Sequence, residues 1–260
     1  MKIGFIADIH EDINSLKLAL KVLEEHVCEK IVCLGDIVGY PVPYYGFLRS
    51  RNASEVLKLV KEKCSHVIIG NHDLYAARKL PKFKAGFSYP WNWFRLDYSK
   101  RKALAKNKVE LYEHDHLSPM LSKKEMKLLG KLPELIIAEF DGIKIMLSHY
   151  TYPDLSGSLI SESEFEDLTE KHLVFAKKHG CLLSVCGHDH KVMLATPDRF
   201  EKLPFGKIKI QKETPTILAI PAVANGTYES GVMVFDTKTH EANIISLNLK
   251  THTAPEWRKL

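Results

Sequence analysis

Five apolar runs of the chain are each followed directly by residues that bind transition metals. The groups are Asp8-Ile9-His10, Gly35-Asp36, Gly70-Asn71-His72-Asp73, His149 and Gly187-His188-Asp189-His190. Imidazole nitrogens suit first-row transition metals, and carboxylate and amide oxygens add harder donors. A single H-x-H is more often a surface feature, and we interpret His114-Asp115-His116 in that way because no strand precedes it. Five groups in the same position after an apolar run predict one shared metal centre.

The apolar runs before these groups have the spacing of β-strands. In the first third of the chain, predicted strands and helices alternate at Lys2–Ala7, Ile13–Val27, Lys30–Leu34, Ala53–Lys63 and Val67–Ile69. This alternation predicts parallel β-α-β units, whose strands present their carboxyl ends to one crevice. In an extended segment, residues i and i+2 point the same way. We therefore expect Asp8 with His10, and His188 with His190, each to address one site as a pair.

A different pattern begins near residue 120. Capping boxes at Ser122–Glu125 and Ser161–Glu164 predict helices that end at Lys131 and Gly180, and the turn pair Asp141-Gly142 predicts a hairpin. The predicted strands here are Leu135–Phe140, Ile143–Ser148, Leu182–Cys186, Val192–Ala195, Lys207–Gln211, Thr216–Ile220, Val232–Phe235 and Asn243–Leu249. No linker or internal repeat divides the chain, so we expect a single domain over residues 1–260.

Residues 76–108 carry the positive charge of the chain. They hold ten Lys or Arg against one acid, Asp97, whereas the whole chain has a net charge of +5, and they include seven aromatic residues. Such a segment suits a phosphate-bearing ligand with a flat group to stack, or a helix whose aromatic residues pack it onto the body. We expect a basic, aromatic-rich helical insertion at about residues 76–131. Its candidate substrate-binding residues are Lys100, Arg101, Lys102, Trp91 and Trp93.

Composition places the chain among globular proteins. Its 260 residues are 45% hydrophobic and 27% charged, which excludes a disordered or collagen-like chain. Its apolar runs are far shorter than the roughly 18 residues that a membrane helix requires, and the chain begins with a predicted strand rather than a secretion signal. Five cysteines without a C-x-x-C pair indicate reduced packing residues. These features predict a cytoplasmic protein without membrane association.

The ordered set DxH, GDxx, GNH[DE], H and GHxH resembles the pattern of the calcineurin-like metallophosphoesterase superfamily. The segment Gly35–Tyr40 and the early Gly70–Asp73 are similar to the compact prokaryotic YfcE-like phosphoesterases. The resemblance implies an α/β fold in which helices flank a two-sheet β-sandwich. It also implies two divalent transition-metal ions, Mn, Fe, Zn or Ni. By this resemblance Asp8, His10 and His190 hold one ion, Asn71, His149 and His188 hold the other, and Asp36 bridges both.

The reaction implied is hydrolysis of a phosphomonoester or phosphodiester, with a small, nucleotide-like substrate as the expected partner. Two divalent ions about 3.5 to 4 Å apart stabilise the attacking and leaving oxygens of phosphoryl transfer and acidify a shared water, so hydroxide is the expected nucleophile. His72 follows a ligand and need not bind metal itself. We expect His72 to protonate or steady the leaving oxygen, and Asp73 to orient His72.

Three departures from the superfamily pattern bear on substrate choice. Glu11-Asp12 stands where Gly-Asn is common, and Glu11 has no evident partner in the sequence. The phosphate-gripping arginine of GDxVDRG is absent from Gly35–Tyr40, and the loop Pro41–Tyr45 differs from the usual GPDPN-like continuation. Two alternatives stay open. One is a nuclease that holds single-stranded nucleic acid on the basic insertion, and the other is a catalytically silent, metal-bound interaction scaffold.

Overall fold

The computed structural model describes residues 1–159 and 165–252. Its helices are α1 (Ile13–Glu25), α2 (Ala53–Lys63), α3 (Asn71–Ala76), α4 (Tyr98–Ala105), α5 (Lys123–Leu129) and α6 (Phe165–Lys178). Its strands are β1 (Lys2–Ile6), β2 (Lys30–Cys33), β3 (Tyr40–Pro41), β4 (His66–Val67), β5 (His116–Leu117), β6 (Leu135–Phe140), β7 (Ile143–Ser148), β8 (Leu183–Cys186), β9 (Met193–Thr196), β10 (Arg199–Lys202), β11 (Gly206–Lys209), β12 (Thr216–Ala219), β13 (Gly231–Asp236) and β14 (Glu241–Ser246).

These strands build two six-stranded sheets. The first has the order β11-β14-β13-β1-β2-β4, and the second has the order β10-β9-β12-β8-β7-β6. Strands β1, β2 and β4 run parallel, which confirms the predicted β-α-β units, and β7, β8 and β12 are parallel in the second sheet. The predicted hairpin is confirmed as β6 and β7.

Strand β1 shows how the two sheets are packed. Ile3 and Phe5 point into a core between the sheets, whereas Ile6 packs on the opposite face with residues of α1 and α2. This alternation is what a strand with both faces buried requires. Helix α1 lies so close to the sheet that a Cβ on Gly4 would be 2.8 Å from Leu23. Helix α6 contacts β9 and β12 of the second sheet. The predicted fold class, a two-sheet sandwich flanked by helices, is confirmed.

Local capping signals set the starts of several helices. The Asp12 side chain accepts from the Ser15 N–H at the start of α1, and Ser122 and Glu125 form the predicted capping box of α5. The capping box predicted at residues 161–164 lies outside the described residues. Within the described part of the chain, every helix is too short or too polar to cross a membrane.

The basic segment, which runs from the end of α3 to the start of α5, is less helical than predicted. Its regular elements are a short 3₁₀ helix (Trp93–Arg95), α4 and β5, and the rest of it is irregular. It is anchored by an aromatic cluster around Trp93, which is 3% exposed and packs edge-to-face on Phe87 and Tyr89. Trp91, two residues earlier, is 81% exposed and lies near the Arg95 guanidinium. Trp93 therefore packs this segment, and its ring is covered by protein.

We expect Trp93→Ala to lower the free energy of unfolding by about 3 to 5 kcal/mol, because a large buried ring leaves a cavity. Trp91→Ala serves as the matched control and should change stability by less than about 0.5 kcal/mol, since its ring is exposed. Urea denaturation of both variants measures the difference. Equal losses in the two variants would contradict the assignment of Trp93 as the anchor.

Candidate metal centre

The seven predicted ligands meet at one edge of the sandwich, where loops from both sheets converge. Three groups follow β1, β2 and β4 of the first sheet, and two follow β7 and β8 of the second. The ligand loops therefore come from two facing sheets rather than from the crevice of a single sheet. The side chains of Asp8, His10, Asp36, Asn71 and His149 are at most 2% exposed.

Asp36 lies at the centre of the cluster. Its Oδ2 is 3.2 Å from Nε2 of His149 and 3.8 Å from Nε2 of both His10 and His72. Its Oδ1 accepts a hydrogen bond from the His72 backbone N–H at 3.0 Å. One carboxylate oxygen is thus fixed by the backbone while the other faces three imidazole rings.

Asp8 is held in the same manner. Its Oδ2 accepts from the backbone N–H of His188 at 3.0 Å. Its Oδ1 lies 3.5 Å from Nε2 of His190 and 3.8 Å from Nε2 of His149. Asp8 and Asp36 therefore both lie near His149. Asp8 also lies near His190, and Asp36 also lies near His10 and His72.

Backbone carbonyls set the direction of two imidazole rings. Nδ1 of His10 lies 2.9 Å from the Gly39 oxygen, and Nδ1 of His149 lies 2.7 Å from the Leu34 oxygen. A carbonyl oxygen only accepts, so Nδ1 carries the proton in both rings. The Nε2 lone pair of each ring then points into the cluster, which is how metal-binding histidines are commonly oriented.

The site needs positive charge. Nε2 of His149 faces Asp36 Oδ2 at 3.2 Å, Asn71 Oδ1 at 3.1 Å and Asp8 Oδ1 at 3.8 Å, so a lone pair there meets three oxygen acceptors. Burial opposes a charge on His149, but the carboxylates of Asp36 and Asp8 outweigh it and raise the pKa of His149 to about 10. A cation between these atoms would remove the same conflict. Asp8 Oδ1 and His10 Nε2 are buried and have no hydrogen-bond partner among the residues that the structure describes, which fits their use as metal ligands.

Three groups of ligand atoms lie within 4.8 Å of one another among the described residues. They are Asp8 with His10 and His190, His10 with Asp36 and His72, and Asp8 with Asp36 and His149. Asp8, Asp36 and His10 each belong to two groups. His188 lies outside all three, with its ring 5.3 Å from the ring of His149 and 4.5 Å from that of Tyr150.

The ligand loops are not extended, so the prediction that residues i and i+2 of these loops point the same way is wrong. Left-handed backbone conformations occur at Asp8, His10, Glu11, Asp36, His188 and His190, with φ between 47° and 73°. Asp8 and His10 still reach one group, but His188 does not join His190: it offers its backbone N–H to Asp8. Several non-glycine residues in this conformation within one site indicate strain that the surrounding packing maintains.

Comparison with known proteins agrees with this geometry. Residues 1–192 match the sequence model of the calcineurin-like phosphoesterases. The chain belongs to this family. It is therefore a metal-dependent phosphoesterase, and the candidate clusters described above are of the kind that hold divalent metals.

Individual relatives are distant. An uncharacterized protein of Methanocaldococcus jannaschii, MJ0912, is 24% identical over 98% of this chain and 94% of its own length. A metallophosphoesterase from Sphaerobacter thermophilus has a similar structure, with a TM-score of 0.64 and 17% identity over 96% of this chain and 89% of that one. The hypothetical protein PH1004 from Pyrococcus horikoshii has a TM-score of 0.61 and 14% identity over 96% and 88%. These structures show the shared fold.

Asp73 does not make the predicted contact with His72. Its carboxylate accepts from the backbone N–H groups of Val38 at 3.0 Å and Gly70 at 3.1 Å, so it braces the loops that carry Asp36 and Asn71. Burial and the nearby Asp36 carboxylate raise the pKa of Asp73 to about 7. Nδ1 of His72 instead lies 2.6 Å from Nε2 of His116, and the two rings stack with their centroids 4.4 Å apart.

The basic segment thus supplies site residues that the sequence did not reveal. His116, interpreted above as a surface residue, begins β5, which pairs with β3 beside the metal cluster. Tyr112 is 5% exposed, and its hydroxyl accepts from Nδ2 of Asn71 at 2.7 Å. This bond turns the Asn71 oxygen toward His149. An aromatic residue and a histidine four positions apart, Tyr112 and His116, were the only local signal.

The predicted substrate residues have other contacts. Lys100 pairs with Asp97 at 3.1 Å, and Lys102 lies over the Tyr98 ring. Arg101 forms an ion pair with Glu113 in which both side chains are mostly buried. Of the five predicted substrate residues, Arg101 and Trp93 are mostly buried within the protein, and Trp91 is exposed.

Glu11 has a partner after all. Its buried carboxylate accepts from Nε of Arg51 at 2.8 Å and from the Gly39 N–H at 3.1 Å, and Nη2 of Arg51 donates to the Ser118 oxygen at 2.7 Å. The pair links the DxH loop to the segment that carries His116. Its charge is neutralised within the protein.

We expect Arg51→Met to destabilise the protein by about 3 to 5 kcal/mol, because it leaves the Glu11 carboxylate buried without a cation. The double variant Glu11→Gln/Arg51→Met should recover much of that loss. Lys17→Met breaks an exposed pair with Glu55 and should cost at most about 1 kcal/mol. Chemical denaturation measures all three, and a double variant as unstable as Arg51→Met would contradict this account.

Proposed function

We propose that this chain is a dinuclear metal phosphoesterase that hydrolyses a phosphate ester of a small, nucleotide-like molecule. The observation that supports it most directly is the double membership of Asp8 and Asp36, each of which contributes to two groups of ligand atoms. Two cations can share these carboxylates.

In this proposal Asp8, His10 and His190 hold one ion, Asn71, His149 and His188 hold the other, and Asp36 lies between them. When bound, the ions supply Lewis acidity to a phosphoryl group and acidify water. Asp8 lies near histidines of both sets, with Oδ1 3.5 Å from Nε2 of His190 and 3.8 Å from Nε2 of His149, which favours ions close to each other. The metal is Mn, Fe, Zn or Ni, as the mixture of imidazole and oxygen donors indicates.

His72 and His116 act on the leaving group. In this proposal Nε2 of His116 carries the proton that is shared with Nδ1 of His72, which leaves the proton of His72 on Nε2, the atom 3.8 Å from Asp36 Oδ2. A water oxygen attacks phosphorus as the ester P–O bond breaks, and a proton of that water passes to the leaving oxygen. The neutral ring of His72 keeps its own proton and steadies the leaving oxygen by a hydrogen bond from Nε2. Stacking against His116 keeps the ring of His72 in position between turnovers.

A cavity beside the site suits a small substrate better than a polymer. It has a volume of about 700 Å³ and is lined by Lys106, Lys108, Lys171 and Tyr150 among others. This volume falls within the range of roughly 300 to 1,000 Å³ that is typical of small-molecule sites. Tyr150 also contacts the ring of His188, so the cavity adjoins the proposed metal ligands. Its lysines provide the positive charge that a nucleotide phosphate requires.

The metal content tests the proposal first. We expect the reconstituted protein to hold two transition-metal ions per chain, as measured by mass spectrometry of the metals after desalting. Asp36→Asn should lose metal, since it removes the charge that both ions share. Thermal melting should show the same difference, because ligands that bind the native state raise its stability. A parent protein that never holds more than one ion would contradict the dinuclear centre.

The two histidines can be separated by substitution. His72→Ala should keep both metals and lose about 10²- to 10⁴-fold in turnover of a substrate with a poor leaving group, with a smaller loss for an activated aryl phosphate. His116→Ala should show the same dependence on the leaving group with a loss of about 10- to 100-fold, the usual effect of removing an orienting partner.

His114→Ala is the matched control for His116→Ala. His114 stands two positions before His116 in the chain, and its ring packs on Tyr98. The activity of His114→Ala should equal that of the parent. His72 also lies within one of the groups of ligand atoms. Loss of metal from His72→Ala would therefore show that His72 is a ligand and would contradict its proposed role at the leaving oxygen.

A further inference from the structure

The loop after β3 places a tyrosine against the metal cluster. Tyr45 is 7% exposed, and its ring centroid lies 5.1 Å from that of His10. His10 also contacts His72, with centroids 4.8 Å apart. Tyr45 belongs to the loop Pro41–Tyr45, in which this sequence departs from the related phosphoesterases.

The ring of Tyr45 is held rigidly. Its backbone oxygen accepts from the Tyr40 hydroxyl at 2.7 Å, and Phe47 packs on it with ring centroids 5.2 Å apart. In the loop between β12 and β13, a Cβ on Gly226 would lie 2.8 Å from Cε1 of Tyr45, so this glycine permits the ring to pack closely. A clamped ring fixes the position of its hydroxyl at little entropic cost on binding.

The hydroxyl of Tyr45 is buried without a hydrogen-bond partner among the described residues. The hydroxyls of Tyr40 and Tyr112, which are equally buried, both have partners. A buried donor without an acceptor is costly, and such groups tend to be kept where a ligand completes them. The ring that carries this hydroxyl packs against His10 of the proposed metal centre.

Nearby arginines are engaged elsewhere. Arg51 is paired with Glu11 and Arg101 with Glu113, and Gly35–Tyr40 contains no arginine. We propose that the hydroxyl of Tyr45 donates a hydrogen bond to a non-bridging phosphoryl oxygen of the substrate, in place of a phosphate-gripping arginine. This inference rests on the proposed phosphoesterase function and names a binding residue for it. A neutral donor neutralises no charge on the phosphoryl group, so the site is suited to a singly charged diester as well as to a monoester.

Tyr45→Phe removes the hydroxyl oxygen and keeps the ring. The probe is inorganic phosphate, titrated by calorimetry into the Mn²⁺-loaded parent and variant. We expect the dissociation constant of phosphate to rise about 10- to 100-fold, the usual cost of deleting a hydrogen bond to a charged group. The kcat/KM for an aryl phosphate should fall by a similar factor. Metal content and melting temperature should stay at the parent values.

Tyr44→Phe is the control, because it removes a phenol from the same loop at a residue that is 38% exposed. It should bind phosphate like the parent. Unchanged phosphate affinity in Tyr45→Phe overturns the inference. Loss of metal from Tyr45→Phe also overturns it, since the hydroxyl would then serve the metal, and so does an equal effect in Tyr44→Phe. A loaded parent that binds phosphate but hydrolyses no ester contradicts the proposed function, while the phosphate comparison still tests Tyr45.

Discussion

The burial of two carboxylates in one pocket is the constraint on which the rest of the structure depends. Asp8 and Asp36 are each at most 1% exposed, and both face Nε2 of His149. Two like charges removed from water repel each other and lose their hydration, so they need fixed donors and cations. Backbone N–H groups hold one oxygen of each carboxylate, and imidazole rings surround the other. The ligand loops adopt left-handed backbone conformations because these groups must all point toward one place.

The same constraint explains the glycines of the motifs. A Cβ on Gly70 would lie 2.1 Å from Oδ1 of Asp36, and a Cβ on Gly187 would lie 2.7 Å from Oδ2 of Asp8. Because each glycine has no side chain, the loop that contains it can approach a carboxylate on a neighbouring loop. The N–H groups of His72 and His188, which follow these glycines closely, can then reach the carboxylates. The glycines in GNH and GHxH are therefore required by packing against the acids rather than by the metal ligands themselves.

The basic segment contributes both to the stability of the protein and to the candidate metal centre. At one end, Trp93 and its aromatic neighbours hold the segment together, with Leu159 of the body packed against them. At the other end, Tyr112 and His116 contact Asn71 and His72. The Glu11–Arg51 pair ties the same segment to the loop that carries His10. A segment that looks like a charged surface feature thus forms one wall of the metal centre. Its positive charge, by contrast, is carried mainly by lysines outside that wall.

The sequence by itself determined the candidate ligand residues, the strands that precede them and the family. These follow from local patterns, since apolar periodicity specifies strands and short motifs specify donors, and α2 was predicted at its observed bounds. Only the tertiary structure decided that the ligand loops come from two sheets, that His116 rather than Asp73 meets His72, and that Trp93 is buried while Trp91 is exposed. His72 and His116 are 44 residues apart in the chain. Their contact depends on how an irregular segment packs, and such packing has no periodic signature because its contacts are made side chain by side chain across the fold.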